Sequence, residues 1–277
     1  MNIKFIAAAV AATLLFSGCL GAENKSTAKA EVTGGFYVET IGVGKADCIL
    51  LKNGGHAALI DTGTEESTKT VLDYLSKEGI TSLDYLIITH FDKDHVGGAD
   101  GVIKSLDVKN VLEPNYKGDS ADYSQYVRAM AEKGISPETL STDADVTLGD
   151  VKLKIDAAKH NFEYGRDNDF SLVISAYYGE NSFLFAGDAE KLRINELLNE
   201  NIGSYDFLKV PHHGIEEKNS AEFFEKVKPK IAVITCSKSE PADESVIDEL
   251  KKDGCEVYTV QSEAAVVFSD GKNVSVK

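Results

Sequence analysis

Residues 89–98 read THFDKDHVGG and bring two histidines and two aspartates within six consecutive positions. Imidazole nitrogens and carboxylate oxygens are common ligands of divalent metal ions. The stretch therefore offers four candidate metal ligands: His90, Asp92, Asp94 and His95. The ordinary alternative for such a run is a solvated, charged turn. The chain has only six histidines in total, and their crowding here favours a metal site.

Further candidate residues stand directly after apolar runs. Asp61 lies in LIDTG and Asp188 closes FLFAGD. His212 and His213 follow the apolar run LKV and a proline. Because neighbouring strands lie only about 5 Å apart, side chains at the ends of several strands can converge on one rim of a sheet. A cation held there by nitrogen and oxygen ligands would be a divalent metal ion.

The apolar pattern predicts the elements that would position these residues. We expect strands at 35–42, 48–53, 56–63, 83–90, 108–114, 151–155, 171–178, 182–188, 206–214 (running into a loop), 230–237, 256–260 and 264–271. We expect helices at 65–78, 95–105, 120–134, 189–200, 220–227 and 243–252. Strands begin each half and alternate with helices later, which favours an α/β class sandwich of two sheets with helices outside.

The overall charge limits the partners. The chain has 277 residues, 43% of them hydrophobic, and a formal net charge of −16. An acidic surface repels phosphate backbones, because binding of nucleic acid depends on lysine and arginine that neutralise phosphates. Nucleic acid is therefore a disfavoured partner, although an active site can still be locally positive.

The N-terminus has the features of a targeting segment. Lys4 is followed by an apolar stretch, residues 5–16, that is too short to span a bilayer comfortably. The stretch ends in LLFSGC, which resembles a lipoprotein box with Cys19 as the lipidated residue. We expect a signal peptide at 1–18, a tether at 19–34 and an exported protein held to the membrane by lipid. The alternative is an ordinary signal peptide cleaved nearby.

Taken in chain order, six motifs resemble a known family. The motifs are VGKADCILL, LIDTG, THFDKDHVGG, NDFSLV, FLFAGDAEK and VPHHG. They resemble the metallo-β-lactamase fold, and more narrowly the hydrolase domain of ComEC-type competence proteins and their stand-alone exported relatives. The resemblance covers residues 35–277 and implies one domain, an αβ/βα four-layer sandwich with two metal sites on its rim.

The resemblance also implies roles for individual residues. His90 and Asp92 would bind the first ion, Asp94 and His95 the second, and Asp188 would bridge the two. His160, in AAKHN, stands about where the fold supplies a third histidine; an exposed loop histidine is the alternative. Asp61 would orient the metal-binding loop without binding an ion itself.

The types of ligand indicate the identity of the two divalent ions that are expected to bind. The usual member of the fold has a histidine where Asp92 stands, and a carboxylate makes the site harder, so Mn²⁺ is expected beside Zn²⁺.

The chain departs from the family pattern at two places, one in the second metal site and one where substrate would bind. The competence branch usually carries a histidine in the loop before its last long helix, but this chain has none there, in KSEPADESVIDEL. Either Glu240 or Asp243 therefore substitutes for it as a ligand, or the second metal site is weak. Ile215 stands where the competence branch has a serine.

The expected chemistry is hydrolysis. A pair of divalent ions activates a water molecule for attack and neutralises charge on the attacked group. Asp94, His212 and His213 are the candidate catalytic residues, and either histidine could donate a proton to the leaving oxygen. A small or polymeric phosphoester is the favoured substrate, as for a phosphodiesterase or nuclease. The alternatives are a hydrolase of esters, lactones or cell-wall head groups, and a metal-binding lipoprotein without catalysis.

Overall fold

The computed structural model describes residues 34–159 and 167–277. The strands are β1 (Phe36–Thr40), β2 (Ile49–Asn53), β3 (His56–Ile60), β4 (Ser82–Leu83), β5 (Tyr85–Ile87), β6 (Asp107–Val108), β7 (Val111–Pro114), β8 (Glu138–Leu140), β9 (Ala144–Leu148), β10 (Val151–Asp156), β11 (Val173–Tyr178), β12 (Asn181–Phe185), β13 (Phe207–Lys209), β14 (Ile231–Thr235), β15 (Glu256–Val260), β16 (Ala265–Ser269) and β17 (Val274–Val276).

The helices lie close to the predicted ranges. They are α1 (Thr68–Lys77), α2 (Lys93–Val96), α3 (Ala99–Ser105), α4 (Ala121–Lys133), α5 (Lys191–Asn199), α6 (Ser220–Val227) and α7 (Glu244–Lys252). Single 3₁₀ turns lie at Glu65–Ser67, Asp167–Phe170 and Pro211–Gly214. The bounds of α4 follow from its sequence: the Ser120 hydroxyl accepts the Tyr123 amide at 3.0 Å, and Gly134 ends the helix in the left-handed conformation.

Two mixed sheets carry the fold. The first has the order β17-β16-β1-β2-β3-β5-β7-β8, and the second β15-β14-β13-β12-β11-β10-β9. In the first sheet β3, β5, β7 and β8 run parallel, and in the second β12, β13, β14 and β15 do. Strands β4 and β6 form a separate parallel pair. Each sheet therefore joins an antiparallel half to a parallel half.

Apolar residues on both faces of each sheet build the layers. In β12, Phe183 and Phe185 pack into the core between the two sheets, while Leu184 packs with the helices α5, α6 and α7. In β2, Leu51 faces the core between the sheets, and Leu50 packs with α1, α3 and α4. Alternate residues point to opposite faces of a strand, so the order is helices, sheet, sheet, helices. The predicted αβ/βα four-layer sandwich is confirmed.

The parallel strands place the candidate residues on one rim. Asp61 directly follows β3, and Asp188 lies three positions beyond β12. His213 lies four positions beyond β13. Ligand sites in α/β sheets form outside the carboxyl ends of parallel strands. β3 pairs with β5 in the first sheet and β12 with β13 in the second, which accounts for convergence of residues far apart in sequence.

The predicted single strand over 83–90 is wrong in its extent. It is divided into β4 and β5 at Asp84, whose carboxylate accepts the Ala57 amide at 3.2 Å and the Lys109 ammonium at 2.8 Å. β5 ends at Ile87, so His90 does not close a strand but stands three residues beyond it. Apolar composition did not distinguish strand from the buried loop that follows.

The predicted helix over 95–105 is also two helices. α2 ends at Val96 and α3 begins at Ala99, with Gly97 and Gly98 between them. A Cβ on Gly98 would lie 2.5 Å from the Thr62 carbonyl oxygen, and one on Gly97 would lie 2.7 Å from the Glu65 nitrogen. The glycine pair therefore lets the loop of THFDKDHVGG pack directly against the backbone that follows β3.

Candidate metal centre

Four side chains from three separate segments of the chain meet at the rim. His95 Nε2 lies 3.2 Å from Asp188 Oδ2, and His213 Nε2 lies 3.1 Å from the same oxygen. His213 Nε2 is also 3.3 Å from Asp94 Oδ2. One donor atom from each of these residues lies within 4.8 Å of the others. We call this set the rim cluster: Asp94, His95, Asp188 and His213.

The rim cluster fits a divalent metal ion. Four buried atoms at the rim lack a well-aligned hydrogen bond among the described residues: His90 Nε2, Asp188 Oδ1, and the Nε2 atoms of His95 and His213, which have only their close approach to Asp188 Oδ2 and Asp94. A buried polar atom left in this state costs about 1–3 kcal/mol, so several together indicate a ligand that they bind. Two imidazoles and two carboxylates are a donor set suited to Zn²⁺ or Mn²⁺.

Asp61 fixes the orientation of His95. Its Oδ2 lies 2.8 Å from His95 Nδ1 and accepts the Thr89 hydroxyl at 2.7 Å, while its Oδ1 accepts the Thr89 amide at 2.8 Å. The His95 carbonyl in turn accepts the Thr62 amide at 2.8 Å. With Nδ1 held in this way, Nε2 is directed toward Asp188. A carboxylate behind a metal-binding histidine acts in this manner.

His90 and Asp92 lie beside the rim cluster. The His90 ring centre is 4.0 Å from that of His95, and His90 Nε2 lies 3.8 Å from Asp92 Oδ2. His90 is fully buried, whereas the Asp92 side chain is 44% exposed. Burial and the neighbouring His95 lower the pKa of His90 well below its usual range, which keeps it in the neutral form that binds metal. Burial raises the pKa of Asp92 to about 6.

The carboxylates of the rim cluster favour bound positive charge. Burial alone would disfavour protonated His95, but the charges of Asp188 and Asp61 outweigh it and raise the pKa of His95 well above its usual range. Burial is likewise outweighed at His213, where Asp188 raises the pKa to about 9. Burial is also outweighed at Asp94, where contact with His213 holds the pKa below its usual range. The carboxylates therefore favour positive charge at the position that a metal ion would take.

His213 reaches the cluster through a strained turn. His212 and His213 both have left-handed backbone conformations, with φ of 47° and 54°. Such conformations cost of order 1 kcal/mol or more for a residue other than glycine and often mark functional sites. Gly214 continues the turn with φ of 77°, and its missing Cβ would lie 2.8 Å from Ala242 Cβ. The turn directs His213 inward and leaves His212 at the edge.

Neither acidic residue proposed to complete the second site reaches it. The Glu240 side chain is 62% exposed and lies 3.4 Å from Lys45. Asp243 Oδ2 accepts the Glu216 amide at 2.7 Å. Of the two alternatives for the second site, the described contacts do not support substitution by Glu240 or Asp243, and His213 is the residue beside Asp94. Ile215 lies next to this turn and is partly buried.

His212 belongs to a second, half-buried group. Its Nδ1 lies 3.4 Å from Glu217 Oε1 and 3.7 Å from Glu190 Oε1. Its Nε2 lies 3.4 Å from the Asn168 amide nitrogen, which also donates to Glu190 at 2.9 Å. The His212 side chain is 18% exposed. Of the two histidines in VPHHG, His212 is thus the more exposed one.

A buried arginine supports the floor of the site. Arg193 donates through Nε to the Ser171 carbonyl at 3.1 Å, and its guanidinium pairs with Asp156 and Glu196. The Ser171 hydroxyl accepts the Asp188 amide at 3.2 Å. The arginine therefore ties α5 to the backbone beneath Asp188.

Sequence reasoning did not assign a role to two buried charged residues next to the cluster. Lys209 is fully buried and forms a salt bridge with Asp47. Asp47 Oδ1 accepts the Thr235 hydroxyl at 2.6 Å, and Thr235 Oγ1 lies 2.9 Å from His213 Nδ1. A signal was present, since each is a charged residue next to an apolar run, in ADCILL and in FLKV. Such residues are almost never fully buried unless paired.

Two predicted positions, His160 and Cys19, lie outside the described residues. The third ligand of the first ion and the lipidation site therefore stay predictions. Among the described residues, no helix is long and apolar enough to cross a membrane.

Comparison with known proteins points to one family. A family model described as Metallo-beta-lactamase superfamily matches residues 41–238. Recombination protein 2 of Haemophilus influenzae is 29% identical over 214 residues, which are 74% of this chain and 25% of that protein. ComE operon protein 3 of Bacillus subtilis is 30% identical over 173 residues, 62% of this chain and 22% of that protein. The matched region is thus about a quarter of each relative.

A solved structure shares the fold. The metallo-β-lactamase fold protein YhfI from Bacillus subtilis aligns with a TM-score of 0.56 and 16% identity, covering 85% of this chain and 99% of that one. The resemblance to this fold and to ComEC-type proteins, first seen in the motifs, is confirmed.

Proposed function

The chain belongs to the metallo-β-lactamase superfamily of metal-dependent hydrolases, and on that basis we propose that it is an exported phosphodiesterase acting on small phosphodiesters. The observation that carries the proposal is the rim cluster, in which Nε2 of His95 and of His213 both face the Asp188 carboxylate at 3.1–3.2 Å. A solvated charged turn would not bury these groups together.

Two ions would be held by different residues. Asp94, His95, Asp188 and His213 would hold one, and His90 and Asp92, with Asp188 shared and His160 added, would hold the other. When bound, divalent ions supply Lewis acidity and an activated water at neutral pH. The neutral state of His90 and the ionised state of Asp94 suit both residues to this role.

The chain's own groups would handle the leaving oxygen. His212 stands at the exposed edge of the cluster, and its Nδ1 faces Glu217 and Glu190. Those carboxylates orient the ring. His212 would therefore donate a proton to the leaving oxygen, while His213 serves as a ligand because it is buried against Asp188.

Two considerations support a small phosphodiester as substrate. Asp92 in place of histidine makes the first site harder, which suits Mn²⁺ and anionic oxygen ligands such as phosphate. One relative carries the name Recombination protein 2, and recombination acts on DNA, whose backbone is a phosphodiester. The net charge of −16 opposes long polyanions, which favours small substrates over polynucleotides.

Export and anchoring rest on the N-terminal sequence. LLFSGC resembles a lipoprotein box, and Cys19 would carry the lipid. A lipid anchor contributes about 0.8 kcal/mol for each buried methylene, so two or more chains give firm attachment. Substrates would then be met at the outer side of the membrane.

A substrate panel tests the proposal. The purified protein is loaded with Mn²⁺ and assayed on bis-p-nitrophenyl phosphate, single-stranded DNA, p-nitrophenyl acetate and a lactone. We expect hydrolysis of the first that is abolished by chelation, at least 100-fold lower in Asp94→Asn and His212→Asn, and unchanged in Asp73→Asn, a matched change at an exposed aspartate. Hydrolysis of the carboxylic ester or lactone alone would show that the substrate class is wrong.

A further inference from the structure

Lys209 is a fully buried lysine at the carboxyl end of β13. It lies among apolar strands in the second sheet, where an unpaired charge would be costly. Its ammonium forms a salt bridge with Asp47, which is also buried. Burying such a pair commonly stabilises a fold no more than apolar side chains would, so packing alone does not account for it.

The position of the ammonium relates it to the rim cluster. Lys209 Nζ lies 4.0 Å from Asp188 Oδ1, whereas the two histidines contact the other oxygen, Oδ2. Asp47 Oδ1, in turn, lies 3.6 Å from His213 Nδ1. The ammonium therefore borders the carboxylate that both histidines share, and its charge acts on any cation bound there.

Lys209 adds a buried positive charge to a region that is rich in carboxylates. Five carboxylates surround the centre, and they are Asp47, Asp61, Asp92, Asp94 and Asp188. Two divalent ions would bring four positive charges to these carboxylates, and the ammonium would add another. Asp47, Asp61 and His95 also form a donor group of their own, within 4.8 Å of one another, which a free cation would otherwise enter.

We propose that the Lys209 ammonium acts as a fixed positive charge beside the metal centre. The ammonium neutralises Asp47 and limits the affinity of the rim cluster for divalent ions. The inference rests on the proposed metal centre but not on the substrate. Because like charges repel, the ammonium weakens binding of a metal ion at Asp188. It also denies the Asp47 carboxylate to a further ion. Lys209 is thus a positioning residue that sets metal affinity.

Mn²⁺ binding to the metal-free full-length protein tests this inference. Isothermal titration calorimetry gives the affinity, and elemental analysis after gel filtration gives the number of ions. The variants are Lys209→Met, Asp47→Asn and the double variant. Lys230→Met is the matched control, since Lys230 is exposed, pairs only with Asp206 among the contacts described and changes the net charge by the same amount.

We expect opposite shifts from the two single variants. Lys209→Met should bind Mn²⁺ at least tenfold more tightly or retain an additional ion, because Asp47 becomes an uncompensated carboxylate. Asp47→Asn should bind at least tenfold more weakly, because the ammonium is then unbalanced. The double variant should return to within threefold of the wild type, and Lys230→Met should not differ from it.

Other outcomes overturn the inference. A Lys209 that only supports the fold would give weaker metal binding in Lys209→Met and no recovery in the double variant. If Lys209→Met does not fold without metal, the Asp47→Asn variant alone still tests the inference, because an unchanged Mn²⁺ affinity in that variant would contradict it. Absence of Mn²⁺ binding by the wild type would overturn the metal centre of the proposed function as well, whereas normal wild-type binding with unshifted variants overturns only the role of Lys209.

Discussion

Removal of metal should make the stability of this protein fall as the pH rises above 6.5. In the metal-free cluster, burial opposes protonation of His213, but Asp188 outweighs it and raises the pKa to about 9, from an ordinary value of 6.5. Between these two values the native state keeps a proton that the unfolded state has released. The free energy of unfolding therefore falls with rising pH through this range.

The size of the effect follows from the shift at His213. The rise of the pKa from 6.5 to about 9 corresponds to about 3–4 kcal/mol, at about 1.4 kcal/mol for each pKa unit. This contribution is fully present below pH 6.5 and is lost by about pH 9. His95 shifts in the same direction and adds to the slope. Bound metal replaces the protons, so the metal-loaded protein should show little of this dependence.

Urea unfolding at pH 6, 7, 8 and 9 measures the slope, once with a chelator and once with excess Mn²⁺. His213→Gln should flatten the metal-free curve, because the titrating group is gone. His56→Gln is the matched control, since His56 is exposed and pairs with Asp84 far from the rim. A metal-free stability that stays constant or rises between pH 6.5 and 9 would refute the electrostatic account of the cluster.

Three further predictions concern separate residues. Asp92→His should shift the metal dependence of hydrolysis from Mn²⁺ toward Zn²⁺, and identical profiles for both proteins in a Mn²⁺/Zn²⁺ titration would contradict the role given to Asp92. Arg193→Met should lower the free energy of unfolding by about 3–5 kcal/mol in urea titrations, because Asp156 and Glu196 lose their buried partner; a loss below 1 kcal/mol would contradict this. Cys19→Ala should release the protein from the membrane fraction and leave it unlipidated by mass spectrometry, and a wild type with its N-terminus away from Cys19 would contradict the anchor.

Much of the fold followed from the apolar pattern, because the core strands are short apolar runs bounded by turns. β8, β9 and β17 were not predicted. β9 alternates partly exposed and exposed residues before Leu148, and β17 shows no fully buried position, so their hydrophobic signal is weak. The split at Asp84 depends on the contacts of its carboxylate with Ala57 and Lys109, which a local pattern does not contain.

The sequence identified the motifs that form the candidate site, but it did not identify the role of every residue in them. The loops carrying His95, Asp188 and His213 were identified, since each follows an apolar run. That His213 rather than Glu240 stands beside Asp94 depends on two consecutive left-handed residues after Pro211, which composition does not reveal. The pairing of Lys209 with Asp47 links residues 162 positions apart, and only the packing of the two sheets brings them together.

Metal content of Asp188→Asn tests the central claim most directly. The change is nearly isosteric but removes the charge that contacts both His95 and His213. Elemental analysis should find two divalent ions per wild-type chain and at least one fewer in Asp188→Asn, with native circular dichroism in both. Asp73→Asn, the matched exposed change, should retain both ions. Equal metal content in Asp188→Asn and the wild type would contradict the metal centre, and THFDKDHVGG would then be a charged turn.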